Sequence, residues 1–118
     1  MFKELLKEIV CSVDGAAGAV IMGMDGISVE EYAEHENLDL QLIGIELSTV
    51  VKEMNRAAIS MDTGPMGEMM MVNRGKTVIA RKINDDYFVA LVLNGTGNLG
   101  KGRFKLRILV PRMASEFE

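Results

Sequence analysis

The sequence predicts a three-layer α/β sandwich, in which one antiparallel β-sheet has helices on both of its faces. Apolar residues recur at helical spacing near both ends of the chain and along one long central segment. Between these segments lie five short apolar runs, and short polar turns such as Asp25-Gly26 join neighbouring runs into antiparallel hairpins. The predicted order is therefore helix, strand, strand, long helix, three strands and helix.

The composition indicates a single globular domain over residues 1–118, because a chain of 118 residues can bury one core but not two. No apolar run reaches the roughly 18 residues that a membrane helix needs, so no membrane span is predicted. Lys3, Glu4, Lys7 and Glu8 interrupt the apolar residues at the N-terminus, which is not the pattern of a signal peptide. We therefore expect a cytoplasmic protein.

Charge and residue types argue against several classes of function. The net charge of −4 disfavours a nucleic-acid partner, because neutralising phosphates needs clustered cations. Cys11 and His35 are the only cysteine and histidine, so one chain cannot build a disulfide framework or a zinc site of thiolates and imidazoles. His35 lies in an acidic loop that does not suit a catalytic triad. We expect no metal, no cofactor and no active site in this chain.

Charge is distributed unevenly along the sequence. Acidic residues gather between Asp25 and Asp39, whereas cations gather late, at Lys101, Arg103, Lys105, Arg107 and Arg112. Such a distribution indicates either a solvated face at each end or a polar rim for a protein partner.

The segment Gly95–Lys101 matches the GxGxxG pattern and most of a P-loop. However, Gly102 stands where a P-loop needs Ser or Thr to hold Mg²⁺, and only about 16 residues follow it, too few for a Walker-B strand. Nucleotide binding at Gly95–Lys101 is therefore the least favoured function, and we predict a glycine-rich connection there.

Turn residues and apolar spacing set the bounds of the predicted elements. The central helix has Asn37 or Asp39 as its candidate N-cap and ends at Thr63-Gly64-Pro65. Pro111 predicts a break in the last helix, because proline removes a backbone hydrogen bond. The predicted helices are Phe2–Val13, Asp39–Asp62 and Asn98–Glu118. The strands after the central helix are Glu68–Asn73, Thr77–Ile83 and Tyr87–Leu93.

The central helix has three distinct faces. Its main apolar stripe should cover the sheet and consists of Ile43, Leu47, Val50, Met54, Ala57 and Met61. A second arc of mostly small residues would let a partner helix approach closely and consists of Leu40, Gly44, Ser48, Val51, Asn55 and Ala58. On the far side, Ile45 and Ile59 lie beside Lys52 and Arg56. That face suggests a docking surface, although single exposed apolar residues are common on proteins.

Methionines crowd around the third predicted strand, at Met66, Met69, Met70 and Met71. Methionine packs adaptably, so this cluster fits either a core or a surface that repacks on association. If the strand lies at the edge of the sheet, its unpaired backbone groups could pair with the same strand of a second chain.

Several short segments, in order along nearly the whole chain, together indicate a family. They are Gly18–Ile21, Met24–Ile27, the helix end at Thr63-Gly64, Phe88–Leu93 and Asn98–Gly100. In this order and spacing they resemble the roadblock / dynein light chain domain family, in its prokaryotic, MglB-like form. Pro111 departs from the plain terminal helix of that family.

The resemblance implies a five-stranded antiparallel sheet, similar to longin and profilin-like folds, with the long helix on one face and the terminal helices on the other. It also implies a homodimer in which the third strands pair edge to edge and the long helices pack side by side. On this sequence, the strand part of the implied interface is Glu68, Met69, Met70, Met71, Val72 and Asn73. The helix part is Gly44, Ser48, Val51, Asn55 and Ala58.

The resemblance further implies a regulatory or adaptor function. Relatives of this type bind a small Ras-like GTPase of the MglA type and accelerate its GTP hydrolysis by repositioning the GTPase's own residues. The implied partner-binding residues are Ile45, Lys52, Arg56 and Ile59, with Arg56 as an arginine finger being a weaker hypothesis. The alternative is a dimeric scaffold that holds other proteins together and changes no rate.

Overall fold

The computed structural model describes residues 1–35 and 37–118 and contains every helix and strand predicted from the sequence. The helices are α1 (Phe2–Ser12), α2 (Leu40–Ser60) and α3 (Leu99–Glu116). The strands are β1 (Ala16–Gly23), β2 (Ser28–Ala33), β3 (Glu68–Val72), β4 (Lys76–Lys82) and β5 (Tyr87–Asn94).

The five strands form one antiparallel sheet in the order β2-β1-β5-β4-β3. The central strands β1 and β5 direct alternate side chains into two separate apolar clusters. Ile21 and Leu91 pack with α1 and α3 on one face, whereas Met22 and Val92 pack with α2 on the other. The predicted three-layer sandwich, with α2 on one face and the terminal helices on the other, is confirmed.

The side of α2 that faces the sheet differs from the predicted stripe. Met54 is 40% exposed and Met61 is 66% exposed, while Ile43, Val50 and Ala57 are only half-buried. The buried residues of the helix are Leu40, Gly44, Leu47, Ser48 and Val51. The sheet-facing side is therefore rotated towards the arc of small residues.

The prediction that this small-residue arc faces a partner helix is wrong for Gly44, Ser48 and Val51, which are buried within the chain. A Cβ atom on Gly44 would collide with the side chain of Met22 on β1, which is itself fully buried. Glycine thus brings the axis of α2 close to β1. The small side chains do indicate a close approach, but the surface approached is the sheet.

Replacing Gly44 with leucine should destabilise the fold by about 1–3 kcal/mol, because the added atoms overpack against Met22. Gly100 is the matched control, since it is also a helical glycine but an added Cβ there meets only Asn98, at 3.9 Å. Gly100→Leu should be neutral or slightly stabilising. Urea unfolding measures both effects, and equal stabilities would contradict the close packing of α2 on β1.

The N-cap of α2 follows the sequence prediction, but the predicted break in α3 is absent. Asp39 caps α2 by accepting a hydrogen bond from the Leu42 nitrogen at 3.0 Å. α3 runs without a break through Pro111, so the predicted break is wrong. Proline removes only the bond to the Arg107 carbonyl, and both residues are exposed, so water can bind that carbonyl.

Candidate protein interface

An apolar groove runs beside α2, because that helix packs mainly on β1 and β2. On the same face of the sheet, Met71 of β3 stays exposed, whereas Met69, Val78 and Ala80 are buried. The groove has a volume of about 410 Å³ and a predominantly apolar lining. Its lining residues are Leu42, Ile43, Glu46, Leu47, Val50, Met71 and Val78. Exposed apolar surface therefore continues from the helix onto the outer part of the sheet.

β3 forms the edge of the sheet next to this groove. Just after β3, the Asn73 nitrogen donates a hydrogen bond to the Lys76 carbonyl at 3.3 Å. Just before β3, the Gly67 carbonyl accepts a hydrogen bond from the Lys82 nitrogen at 2.9 Å. Because bonds alternate along an antiparallel ladder, the odd-numbered residues of β3 bond to β4. The backbone N–H and C=O groups that point away from β4 belong to Glu68, Met70 and Val72.

The Glu68 side chain holds this edge strand in place. Its carboxylate accepts hydrogen bonds from Arg81 Nη1 at 3.0 Å and from Arg103 Nε at 2.7 Å. The Glu68 side chain is only 11% exposed, so these charge-assisted bonds are partly shielded from water. β3 is thus fixed to β4 and α3 while its outer backbone side stays open.

The residues predicted for a dimer interface fall into two groups in the structure. The exposed ones are Met70, Met71, Val72 and Asn73 of the edge strand. The buried or half-buried ones are Glu68, Met69, Gly44, Ser48, Val51, Asn55 and Ala58. Asn55 is occupied within the chain, since its Oδ1 accepts a hydrogen bond from the Met66 nitrogen at 2.9 Å.

The sequence interpretation missed the helix residues that line the groove. Leu42 belongs to none of the three predicted faces of α2, and Ile43 and Val50 belong to the stripe predicted to cover the sheet. The signal was the width of the apolar surface on α2, which exceeds what a single sheet face can cover. An apolar helix surface of that width indicates a second contact beyond the chain's core.

The outer face of α2 carries the four predicted partner-binding residues, Ile45, Lys52, Arg56 and Ile59. All four are exposed, and their spacing of three, four and seven residues places them on one side of the helix. Arg56 donates to the Glu53 carboxylate at 2.6 and 2.9 Å, and this hydrogen bonding, aided by its charge, lowers the pKa of Glu53 below its ordinary value. Because the pair is exposed, an approaching acidic group can replace it at little cost.

A cavity of about 280 Å³ adjoins this face, between α2 and the turn that joins β4 to β5. Lys52 and Lys82 both line it. The Lys82 side chain is largely buried, and its Nζ lies 3.5 Å from the carboxylate of the exposed residue Asp85. Asp85 also lines the cavity and offsets the charge of Lys82. Lys52 and Arg56 are therefore the cations of the outer face that suit acidic side chains.

The glycine-rich segment Gly95–Lys101 packs against the loop between α1 and β1. A Cβ on Gly15, whose φ is +82°, would collide with the backbone of Gly97. The Asn98 nitrogen donates to the Asp14 carbonyl at 2.8 Å, and the Lys101 nitrogen donates to Asn98 Oδ1 at 3.1 Å. The amides of Asn98 and Lys101 are therefore bonded within the chain and not available to a phosphate, which fits the predicted glycine-rich connection.

Among residues 1–35 and 37–118, no three potential metal-ligating side chains cluster together. Within the same described residues, no helix combines the length and the apolarity needed to cross a lipid bilayer.

A five-stranded antiparallel sheet between one long helix and two terminal helices is the architecture of roadblock and profilin-like domains. MglC from Myxococcus xanthus, which has a crystal structure, is 33% identical in sequence to this chain. The two structures superpose over 98% of each chain with a TM-score of 0.72. The chain belongs to the roadblock/LC7 domain family, and the resemblance predicted from the sequence is confirmed.

Two further structures share the fold at lower identity. A Roadblock/LC7 domain from Streptomyces avermitilis has a TM-score of 0.87 at 13% identity, covering 97% of this chain and 95% of that one. The gliding protein MglB from Thermus thermophilus has a TM-score of 0.86 at 15% identity, covering 96% of this chain and 85% of that one. The sequence matches no protein-family model and no curated protein sequence.

Proposed function

We propose that the protein is a homodimeric regulator that binds a small Ras-like GTPase of the MglA type. The observation that carries the proposal is the open surface formed by the β3 edge and the adjoining groove, because exposed apolar surface of this kind marks a protein interaction site. Membership of the roadblock/LC7 family and the fold likeness to MglB support the choice of partner. We expect the protein to act in the cytoplasm, where a Ras-like GTPase binds its nucleotide.

In the proposed dimer, β3 of one protomer pairs antiparallel with β3 of its partner about a two-fold axis perpendicular to the sheet. The outward N–H and C=O groups of Met70 and Val72 then form interchain hydrogen bonds in place of bonds to water. The same rotation brings the two α2 helices side by side over the two grooves. Leu42, Ile43 and Val50 become buried between the protomers, which supplies the hydrophobic driving force.

This arrangement keeps the strand part of the predicted interface and changes its helix part. Glu68 to Asn73 still form the pairing edge. Gly44, Ser48 and Val51 act indirectly, because they seat α2 on its own sheet and so leave the groove open beside it. The helix residues that contact the partner are Leu42, Ile43, Glu46 and Val50.

The outer face of α2 is the proposed GTPase-binding surface. Ile45 and Ile59 supply apolar contact area, while Lys52 and Arg56 suit acidic side chains of the partner. Binding that favours the GTP-bound conformation would hold the GTPase's own residues in place and would need no active site in this chain. Arg56 as an arginine finger is the weaker hypothesis, because repositioning of the GTPase's own residues needs no arginine from this chain.

Single-turnover GTP hydrolysis by a purified MglA-type GTPase, with and without excess of this protein, tests the proposal. We expect at least a tenfold acceleration, which corresponds to about 1.4 kcal/mol of the barrier. We also expect tighter binding to the GTP-loaded form than to the GDP-loaded form. Binding without acceleration would favour the dimeric scaffold, whereas no binding to either form would overturn the GTPase assignment.

The nucleotide-binding alternative at Gly95–Lys101 has a separate test. Any ligand that binds only the native state raises its melting temperature. We expect GTP and ATP to leave the melting temperature of the isolated protein unchanged. A rise with either nucleotide would require a site in this chain.

A further inference from the structure

α3 carries an unusual share of the positive charge of the protein. It contains five cations, Lys101, Arg103, Lys105, Arg107 and Arg112, and one acid, Glu116. Of the 13 cations and 17 acids in the whole chain, eight cations and 16 acids therefore lie elsewhere. The molecule is electrically polarised, with a basic helix on an otherwise acidic protein.

The solvent-facing side of α3 is also apolar. Phe104 is 56% exposed and Ile108 is 46% exposed, and they lie one helical turn apart. Pro111 continues the same side one turn further along and is exposed as well. This stripe of Phe104, Ile108 and Pro111 is absent from both apolar clusters of the core. Packing within the described chain therefore does not explain why three apolar side chains share this face.

Cations flank the stripe, and several have no acidic partner in the described residues. Arg103 pairs with Glu68 at 2.7 Å, and Arg112 pairs with Glu8 at 3.4 Å. None of the ion pairs among residues 1–35 and 37–118 involves Lys101, Lys105 or Arg107. The neighbouring helix α1 does not offset this charge, because its exposed charged side chains are two lysines and two glutamates.

We propose that the outer face of α3 binds the surface of an anionic lipid bilayer, with Phe104 and Ile108 inserted between headgroups and Lys101, Lys105 and Arg107 against the phosphates. An exposed apolar stripe with cations on both flanks is the pattern of a helix that lies in a membrane interface. The charge polarity of the molecule favours this occupant, because an extended anionic surface attracts the basic helix and repels the acidic remainder.

The inference does not require the proposed function, but the proposed dimer would strengthen it. A two-fold axis perpendicular to the sheet places both α3 helices on the same face, opposite the paired α2 helices. Two basic helices then meet the bilayer together, and the second contact benefits from a high effective concentration. A variant that cannot pair through β3, such as Met70→Pro, should therefore still bind vesicles, but less tightly than the proposed dimer.

Flotation of the full-length protein with vesicles of phosphatidylcholine and phosphatidylglycerol, compared with vesicles of phosphatidylcholine alone, tests the proposal. We expect binding to the anionic vesicles only, weakened by added salt. The double variant Lys101→Glu, Arg107→Glu should bind roughly 30-fold more weakly or worse, since each cation near a bilayer contributes about fivefold. Phe104→Ser should weaken binding at every salt concentration, because it removes the inserted ring.

The matched control is Lys52→Glu, Arg56→Glu, which makes the same residue changes on α2, across the sheet from α3. It should leave vesicle binding unchanged. Equal losses in the two double variants, or no binding of the wild-type protein to anionic vesicles, would overturn the proposal. Retention on a poly-glutamate matrix through Lys101 and Arg107 without vesicle binding would also overturn it and would assign the face to an acidic protein.

Discussion

Replacing Met70 with proline is expected to convert the proposed homodimer into monomers while the chain stays folded. The Met70 N–H points away from β4, so Met70→Pro removes no hydrogen bond of the β3–β4 ladder. In the proposed dimer the same N–H lies near the centre of the pairing edge, where its loss leaves a partner carbonyl unsatisfied. Proline is tolerated on edge strands only where its nitrogen faces solvent.

Sedimentation velocity measures this effect, and Met70→Thr is the matched control. Threonine keeps the N–H and favours a β-strand, so Met70→Thr should sediment as the wild-type protein does. In urea, Met70→Pro should show a cooperative unfolding transition, which indicates that the variant is folded before denaturant is added. A folded Met70→Pro protein that still sediments at the mass of two chains would rule out pairing through β3.

The second large effect is expected at the outer face of α2, the proposed GTPase-binding surface. Ile59→Asp should weaken binding of a GTP-loaded MglA-type GTPase by roughly 30-fold or more, because central apolar anchors of an interface contribute about 2 kcal/mol or more. Ile59 is 58% exposed in the isolated chain, so this change should alter stability by no more than about 0.5 kcal/mol. Titration calorimetry gives the affinity, and thermal unfolding gives the stability.

Ile108→Asp is the control for this experiment. It introduces the same charge on an exposed helical isoleucine, but on α3, on the opposite side of the sheet. GTPase affinity should be unchanged in Ile108→Asp. Equal affinities for Ile59→Asp and the wild-type protein would show that the GTPase meets another surface.

Local sequence signals were sufficient to predict the architecture. The Asp25-Gly26 turn and the continuous apolar run of β5 act within a few residues, and both are present as predicted. The predicted stop at Thr63-Gly64 is too late, because α2 ends at Ser60 and Asp62 already takes a positive φ of 62°. The effect of Pro111 on α3 could not be predicted, for a physical reason. Its effect depends on whether water can reach the carbonyl it leaves unpaired, and this depends on which side of α3 packs against the sheet.

The orientation of α2 could not be predicted in the same way, because its apolar residues cover more than one face. The choice among those faces depends on the shape of the sheet. The Met22 side chain rises from β1 towards α2, and Gly44 leaves room for it. The groove arises from that choice together with the position of α2 over β1 and β2. Ile45 and Ile59 are exposed as predicted, because they lie outside both the predicted stripe and the arc that packs on the sheet.

Residue-resolved hydrogen exchange of the β3 amides tests the central claim, that a second copy completes the open sheet edge. The amides of Met69 and Met71 bond to β4 and should be protected in any folded state. The account predicts that the outward amides of Met70 and Val72 are protected as well, in a protein that sediments as two chains. Rapid exchange at Met70 and Val72 beside slow exchange at Met69 and Met71 would contradict it, because the edge would then be open to water.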